Sequence, residues 1–195
     1  MFNLIDEPWI IAQTQEGTQE LSLREAFGKA ELIRRLGGEV PTQGFAILRL
    51  MLAICHHAIG WHSRKDLARL RRRGVDLAVI DDYLDTWHSR FDLFDPERPF
   101  MQVAGLRTPS GKYSGLHKII ADVDDKRFFS MRAGRRLLAL SPAEGARWLV
   151  HAHAFDVAGV HSGAVGDPHQ KGGRGYSNGT SWCGEIGGVI LHGPN

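Results

Sequence analysis

Glycine is concentrated near one end of this chain. Of 23 glycines in 195 residues, 11 lie between Gly159 and Asn195. Because glycine has no Cβ, it adopts left-handed backbone conformations readily, and it lets another polymer approach the main chain and its N–H groups. The segment therefore indicates either a surface loop that needs several left-handed turns or a loop that lies directly against a partner.

One run inside this segment favours a nucleic-acid partner. It consists of Lys171, Gly172, Gly173, Arg174, Gly175 and Tyr176. Lysine and arginine suit phosphate groups, and a tyrosine ring offers a flat stacking face. The run predicts contact with a nucleic-acid backbone, with a plain surface loop as the alternative.

Composition limits how the chain could bind such a partner. With 43% apolar residues, the chain has the composition of a globular protein and the length of one ordinary domain. Its formal net charge is only +2, so nucleic-acid binding must come from local patches. Cys55 and Cys183 form no disulfide framework, which favours a reducing compartment.

Neither a signal peptide nor a membrane span is predicted. The N-terminus lacks a basic region and reaches Asp6 at once. The longest apolar stretch, from Phe45 to Ile59, is interrupted by Arg49 and by two histidines. It is shorter than the roughly 20 residues that a span needs. We expect a buried helix here, and a cytoplasmic protein with no membrane partner.

The first 40 residues predict a hairpin and a short helix. Two apolar stretches, Trp9–Ala12 and the region around Leu21, flank a turn at Glu16–Thr18. Ser22 followed by Glu25 has the spacing of a capping box, so a helix should begin there. We expect that helix to end near glycines 37 and 38.

Four more helices are predicted from caps and periodicity. The second begins at Pro41 and ends near Gly60, and its apolar face consists of Phe45, Leu48, Leu52, Cys55 and Ile59. Ser63 should cap a third helix that ends at Gly74. Asp76 should cap a fourth, whose apolar face consists of Leu77, Ile80, Leu84, Trp87 and Phe91. A second capping box, formed by Ser141 and Glu144 with Pro142 between them, predicts a fifth helix to about Phe155.

The remaining segments are less regular. Phe100–Val103 is predicted as a short extended piece, and the stretch from Gly187 to Asn195 as a strand followed at once by the end of the sequence. The fold class that follows is α+β: a mixed globular domain over residues 1–195, with an N-terminal β-hairpin, about five helices and a Gly-rich C-terminal segment that ends in a strand.

A second cluster of cations also indicates binding. It lies in a stretch without helical periodicity and consists of Arg127, Phe128, Phe129, Arg132, Arg135 and Arg136, with Lys126 beside them. Aromatic rings among cations are typical of a loop that becomes ordered on contact with nucleic acid. The alternative is a surface loop whose phenylalanines fill the core. A third group, Arg71–Arg73, complements a helix C-terminus, and a solvated face is its simplest interpretation.

Catalytic motifs find little support. The chain lacks Cys-x-x-Cys, a Walker loop, a dinucleotide fingerprint and a nucleophile elbow. We therefore predict no catalytic residue, no metal and no cofactor. The competing hypothesis is a histidine-dependent metal phosphohydrolase that uses His56, His57 and His62 with Asp81 and Asp82.

Three stretches carry a resemblance to a known family. They are Phe2–Ile10, Phe91–Phe94 leading into Pro99–Gln102, and Gly163–Asp167 leading into the run 171–176. Together, and in this order, they resemble the N-terminal part of the CasA family, the large subunit of the type I-E CRISPR Cascade complex. Since the family's C-terminal helical bundle has no counterpart here, we expect a fragment of a longer CasA-like protein.

The resemblance implies a non-catalytic subunit that senses the protospacer-adjacent motif in double-stranded DNA. In that family, the loop matching residues 171–176 lies against the motif. A mobile loop, matching about 127–140, contacts the guide RNA end and the incoming DNA. The implied partners are the DNA target, the guide RNA, the other Cascade subunits and the helicase-nuclease of the same system.

Overall fold

The computed structural model describes residues 1–120, 139–156 and 159–177. The chain divides into two compact units, which are described separately. The first comprises Met1–Ala104 with Ser141–Val150, and the second comprises Gly105–Leu140 with His151–Asn195. The single domain predicted over residues 1–195 stays a prediction.

A three-stranded antiparallel sheet begins the first unit. Strand β1 (Ile10–Thr14) pairs with β2 (Gly17–Leu21) from Ile10↔Leu21 to Thr14↔Gly17, which confirms the predicted hairpin. A third strand, β3 (Ile33–Leu36), pairs with the other edge of β1, so the order is β2-β1-β3.

Helix α1 (Leu23–Gly28) begins as predicted and ends earlier. Both hydrogen bonds of the capping box form: the Glu25 amide donates to the Ser22 hydroxyl over 3.2 Å, and the Ser22 amide donates to the Glu25 carboxylate over 3.0 Å. The predicted end near glycines 37 and 38 is wrong. Pairing with β1 draws Ile33–Leu36 into the sheet, and a single 3₁₀ turn connects the two elements.

Helices α2 (Pro41–Ile59), α3 (Arg64–Arg73) and α4 (Leu77–Thr86) begin where their caps predict. The Ser63 hydroxyl accepts from the Asp66 amide over 3.2 Å, and the Asp76 carboxylate accepts from the Ala78 amide over 3.0 Å. These caps depend on residues two or three positions apart, so the local sequence is enough to set them.

The predicted apolar face of α2 is wrong. Leu48 is 41% exposed and Leu52 is 52% exposed. The buried positions are instead Gln43, Gly44, Ala46, Ile47, Met51 and Ile54. The reason is the packing of α2 on both β3 and α4. On the β3 side, Gly44 lies so close to the Leu36 carbonyl that a Cβ would collide with it. Contacts with these two elements, of which β3 was not predicted, decide which side of the helix is buried.

The predicted face of α4 is right in part. Ile80, Leu84 and Phe91 are buried, whereas Leu77 is 44% exposed and Trp87 is 40% exposed. The helix ends at Thr86, and a 3₁₀ turn over His88–Phe91 follows it. Of the predicted face, only Phe91 lies in this turn, and it remains buried.

The extended piece predicted at Phe100–Val103 is wrong. The chain turns there: the Gln102 amide donates to the Pro99 carbonyl over 3.1 Å, and Met101 has a φ of 51°. The Phe100 amide donates to the Asp92 carbonyl over 2.8 Å, and its ring stacks on Phe91. These contacts with residues 91 and 92 hold the turn.

Helix α5 (Pro142–Phe155) completes the core of the first unit through its N-terminal part. The predicted capping box forms, and the Ser141 amide donates to the Glu144 carboxylate over 2.7 Å. Arg147 is buried and donates to the Trp9 carbonyl over 2.8 Å and to the Glu20 carboxylate over 2.6 Å. The helix is thereby tied to β2 and to the residue that precedes β1.

Helix α2 is long and apolar enough, by length and composition alone, to cross a membrane, and it is the one such helix among the described residues. A single such helix is weak support for a span, because core helices of globular domains pass the same test.

The second unit has a small sheet of its own. Strand β4 (Gly159–Ser162) pairs antiparallel with β5 (Arg174–Ser177). A short 3₁₀ helix spans Leu116–Ile119. The strand predicted between Gly187 and Asn195 lies outside the described residues. Hairpin, helices and this sheet together confirm the α+β class.

Candidate nucleic-acid interface

The glycine run forms a defined two-residue turn. The Lys171 amide donates to the Arg174 carbonyl over 2.9 Å, and the Arg174 amide donates to the Lys171 carbonyl over 3.1 Å. Between them, Gly172 has a φ of 59° and Gly173 a φ of 73°. Two successive positive φ angles are the mark of a type I′ turn, which side chains other than Gly, Asn and Asp adopt poorly. Left-handed turns, one of the two explanations from sequence, account for this pair of glycines.

A third glycine anchors the turn to the strands. The Gly163 amide donates to the Gly173 carbonyl over 2.8 Å, next to the Ser162↔Arg174 pair that begins the sheet. A Cβ on Gly163 would lie 2.9 Å from the Gly173 carbonyl oxygen and would overlap the Gln170 side chain. The close backbone approach therefore depends on glycine at this position.

The turn presents its backbone outward. Lys171, Gly172, Gly173 and Arg174 are exposed, and a Cβ on either central glycine would meet nothing within 4 Å. Neither the Gly172 nor the Gly173 amide donates a hydrogen bond to another residue of the described ranges. The turn thus offers two outward N–H groups between two cations.

The last two members of the run continue into β5. Gly175 pairs with His161, and Tyr176 pairs with Val160, whose side chain is 58% exposed. The structure does not describe the Tyr176 side chain, so its stacking role stays a prediction.

A contact that sequence reasoning missed lies beside the hairpin. The Val165 amide donates to the Arg107 carbonyl over 2.9 Å, so the segment from Gly105 runs next to the chain between the two strands. Arg107 and Lys112 are exposed cations on that segment. No local pattern reveals this pairing, because its two residues are far apart in sequence.

The second predicted binding cluster belongs to a part of the chain that the structure does not describe. Arg127, Phe128, Phe129, Arg132, Arg135 and Arg136 all lie outside the described residues. Their assignment to a DNA- and guide-contacting loop stays a prediction.

The histidines of the metal hypothesis are engaged with aromatic neighbours. The His56 ring lies edge-on to Trp61 with centroids 4.9 Å apart, and the His57 ring lies 5.3 Å from Tyr83. Asp81 forms an ion pair with Arg24 at 2.8 Å. Within residues 1–120, 139–156 and 159–177, no three His, Cys, Asp or Glu side chains are grouped to hold a metal ion.

Two pKa shifts also bear on acid–base chemistry. Burial raises the pKa of the Cys55 thiol, which disfavours the thiolate that nucleophilic catalysis needs. Burial lowers the pKa of His151, whose ring stacks on Phe155 with centroids 5.0 Å apart. His151 is therefore a neutral core histidine near neutral pH.

Comparison with known proteins identifies the family. A family model described as CRISPR-associated protein Cse1 matches residues 3–195. The chain belongs to the Cse1 family. The matched range contains the N-terminal motifs, the Phe91–Gln102 region and the glycine hairpin, so the resemblance stated from sequence is confirmed.

Individual relatives agree with this assignment. The CRISPR-associated protein CasA/Cse1 of Thermus thermophilus is 33% identical over 162 residues, which are 82% of this chain and 32% of that protein. The crystal structure of Thermobifida fusca Cse1 is similar with a TM-score of 0.80 and 49% identity, covering 94% of this chain and 35% of the other. This chain therefore spans about a third of the length of these relatives.

A more distant likeness concerns the fold alone. A chain from a CRISPR RNA-guided surveillance complex has a TM-score of 0.68 at 24% identity, covering 84% of this chain and 36% of that one.

Proposed function

We propose that this chain is part of a non-catalytic Cascade subunit that senses the protospacer-adjacent motif in double-stranded DNA. The observation that carries the proposal is the hairpin at residues 171–176, with outward amides between two cations. Membership of the Cse1 family and the fold shared with a surveillance-complex chain support it.

The turn suits the minor groove in shape and chemistry. That groove is only about 6 Å wide and presents acceptors such as adenine N3 and thymine O2. A turn without Cβ atoms at its tip can enter, and the amides of Gly172 and Gly173 can donate to those acceptors. Lys171 and Arg174 then contact the phosphates on either side.

The other assignments belong to the same proposal. The guide RNA reads the target by base pairing, so the protein needs only short-motif and backbone contacts and no catalytic group. Arg127, Phe128, Phe129, Arg132, Arg135 and Arg136 would contact DNA and the guide end. The other partners are the remaining Cascade subunits and the helicase-nuclease, and the location is the cytoplasm.

The test is a substitution at the tip of the turn, made in the complex reconstituted with guide RNA. Gly173→Val should weaken binding to motif-bearing duplex DNA about tenfold, close to 1.4 kcal/mol, and should reduce the preference over motif-free duplex. Because asparagine tolerates a positive φ, Gly173→Asn should lose less affinity than Gly173→Val.

Gly111→Val is the matched control. Gly111 also has positive φ, 67°, and open space around it, but it lies outside the hairpin. Affinity measured at two salt concentrations separates phosphate contacts from groove contacts. Equal losses for Gly173→Val and Gly111→Val would refute the role of the hairpin.

A further inference from the structure

Helix α3 carries a concentration of positive charge that the fold does not use. Its ten residues include Arg64, Lys65, Arg69, Arg71, Arg72 and Arg73. None of its side chains is buried. None of these six cations forms an ion pair within 4 Å with a carboxylate in the described parts of the chain.

The single acidic residue of α3 is used for another purpose. The Asp66 carboxylate accepts from the Ser63 hydroxyl over 2.7 Å and from the His62 amide over 3.3 Å. Asp66 therefore completes the helix cap, and the hydrogen bonds from Ser63 and His62 lower its pKa, with a smaller effect of Arg69. Other arginines of this unit do serve the fold: Arg24 pairs with two aspartates, and Arg147 is bonded inside the core.

Helix stability does not explain the charge. Arg71–Arg73 complement the negative end of the helix dipole, but Arg64 and Lys65 lie in the first turn, where the dipole disfavours cations. Like charges at i and i+4, as in Lys65 with Arg69 and Arg69 with Arg73, also destabilise a helix. Arg64, Lys65 and the like-charged pairs therefore disfavour the helix that carries them. Cations kept at such positions indicate a binding partner with many negative charges.

We propose that α3 binds the phosphate backbone of duplex DNA as a second contact that is independent of base sequence. At 3.6 residues per turn the six cations cover about 200° of the helix circumference along about 15 Å of axis. Cations on both flanks of a rod match two phosphate rows that border a groove, and a major groove about 12 Å wide admits a helix. A single strand offers one row, and its binding sites use stacking aromatics, which α3 lacks.

The proposed contact of α3 rests on the proposed function in one respect, since both involve duplex DNA. The surface is a separate one, because α3 is not part of the glycine hairpin. The hairpin would report the motif, whereas α3 would raise affinity for every duplex alike. The two can therefore fail independently.

The test compares two double substitutions that remove equal charge from exposed positions. Arg64→Gln with Arg71→Gln removes the cations of one flank of α3, and Arg34→Gln with Arg35→Gln removes two exposed cations of β3. Fluorescence anisotropy with the 195-residue chain measures binding to a motif-free duplex, a single strand and polyglutamate over a range of salt.

We expect the α3 variant to bind the duplex at least about threefold more weakly at moderate salt. Its slope of log affinity against log salt should be shallower by about 1.8, at roughly 0.9 per lost phosphate contact. The β3 variant should keep the original slope. Because all the substituted side chains are exposed, both proteins should unfold like the parent. Arg69→Gln with Arg73→Gln removes the cations of the opposite flank.

Four results would overturn the proposal. The parent chain could fail to bind the duplex at low salt, or the α3 and β3 variants could lose affinity equally, which would leave net charge as the cause. The α3 variant could lose affinity for polyglutamate and keep its affinity for the duplex, which would indicate an acidic protein partner. Finally, a larger loss for the single strand than for the duplex would exclude the groove geometry.

Discussion

The core of the N-terminal unit and the glycine hairpin obtain their shapes by different means. Large side chains define the core: Trp9 and Trp148 are almost fully buried, and their ring nitrogens donate to the Leu4 carbonyl over 2.9 Å and to Glu39 over 3.0 Å. In the turn at residues 171–174, backbone hydrogen bonds and two positive φ angles define the shape.

This difference determines how each region responds to substitution. A core side chain contributes through the apolar area it buries, so its loss leaves a cavity and costs stability of the whole unit. A turn contributes through conformations that few residues adopt, so one added methyl group changes it locally. A region of the second kind can present bare backbone to a ligand, which a packed core cannot do.

The largest expected effect comes from Trp9→Ala. Because Trp9 is fully buried and its indole N–H is bonded, removal should lower the free energy of unfolding by about 3–5 kcal/mol. The matched control is Trp87→Ala, since Trp87 is 40% exposed and should cost much less. Urea unfolding followed by circular dichroism measures both. Equal losses would mean that burial does not distinguish the core from its surface.

An intermediate and local effect is expected from Gly163→Ala. The added Cβ would crowd the Gly173 carbonyl at 2.9 Å, which should destabilise the hairpin by about 1–3 kcal/mol and leave the core intact. Amide hydrogen exchange at Lys171 and Arg174 should become faster. In Gly175→Ala the nearest atom to the new Cβ is the Ser162 carbonyl at 3.9 Å, so exchange should not accelerate. Slow exchange in Gly163→Ala would show that the anchor is dispensable.

The smallest effect concerns pH and the buried ring of His151. Burial holds its pKa below the ordinary 6.5, so the unfolded chain takes up a proton first as pH falls. The stability that depends on neutral His151 is therefore present above about pH 6.5 and is lost below it. Chemical unfolding between about pH 7.5 and 5.5 should show this slope, and His151→Leu should reduce it. His153→Leu, at an exposed position, is the control, and an unchanged slope in His151→Leu would contradict the assignment.

The candidate site shows how far local sequence reasoning extends. The composition of the run 171–176 predicted a binding loop at these residues, and its two central glycines have the left-handed conformations that the sequence allowed as one alternative. The anchor at Gly163 and the contact between Val165 and Arg107 were not predictable, because each joins residues that no short pattern relates. The face considered solvated for Arg71–Arg73 belongs to a helix that has no buried side chain.

The sequence by itself determined where the helices begin. Ser22 with Glu25, Ser63, Asp76 and Ser141 with Glu144 all act within three residues, so their hydrogen bonds follow from local spacing. Only the tertiary structure decided which faces are buried. Leu48 and Leu52 stay exposed while Gln43 and Gly44 are buried, because α2 packs on α4 and on β3, a strand with no strong local signal that pairs with β1. Burial depends on what a distant segment brings to the helix, and periodicity carries no information about that segment.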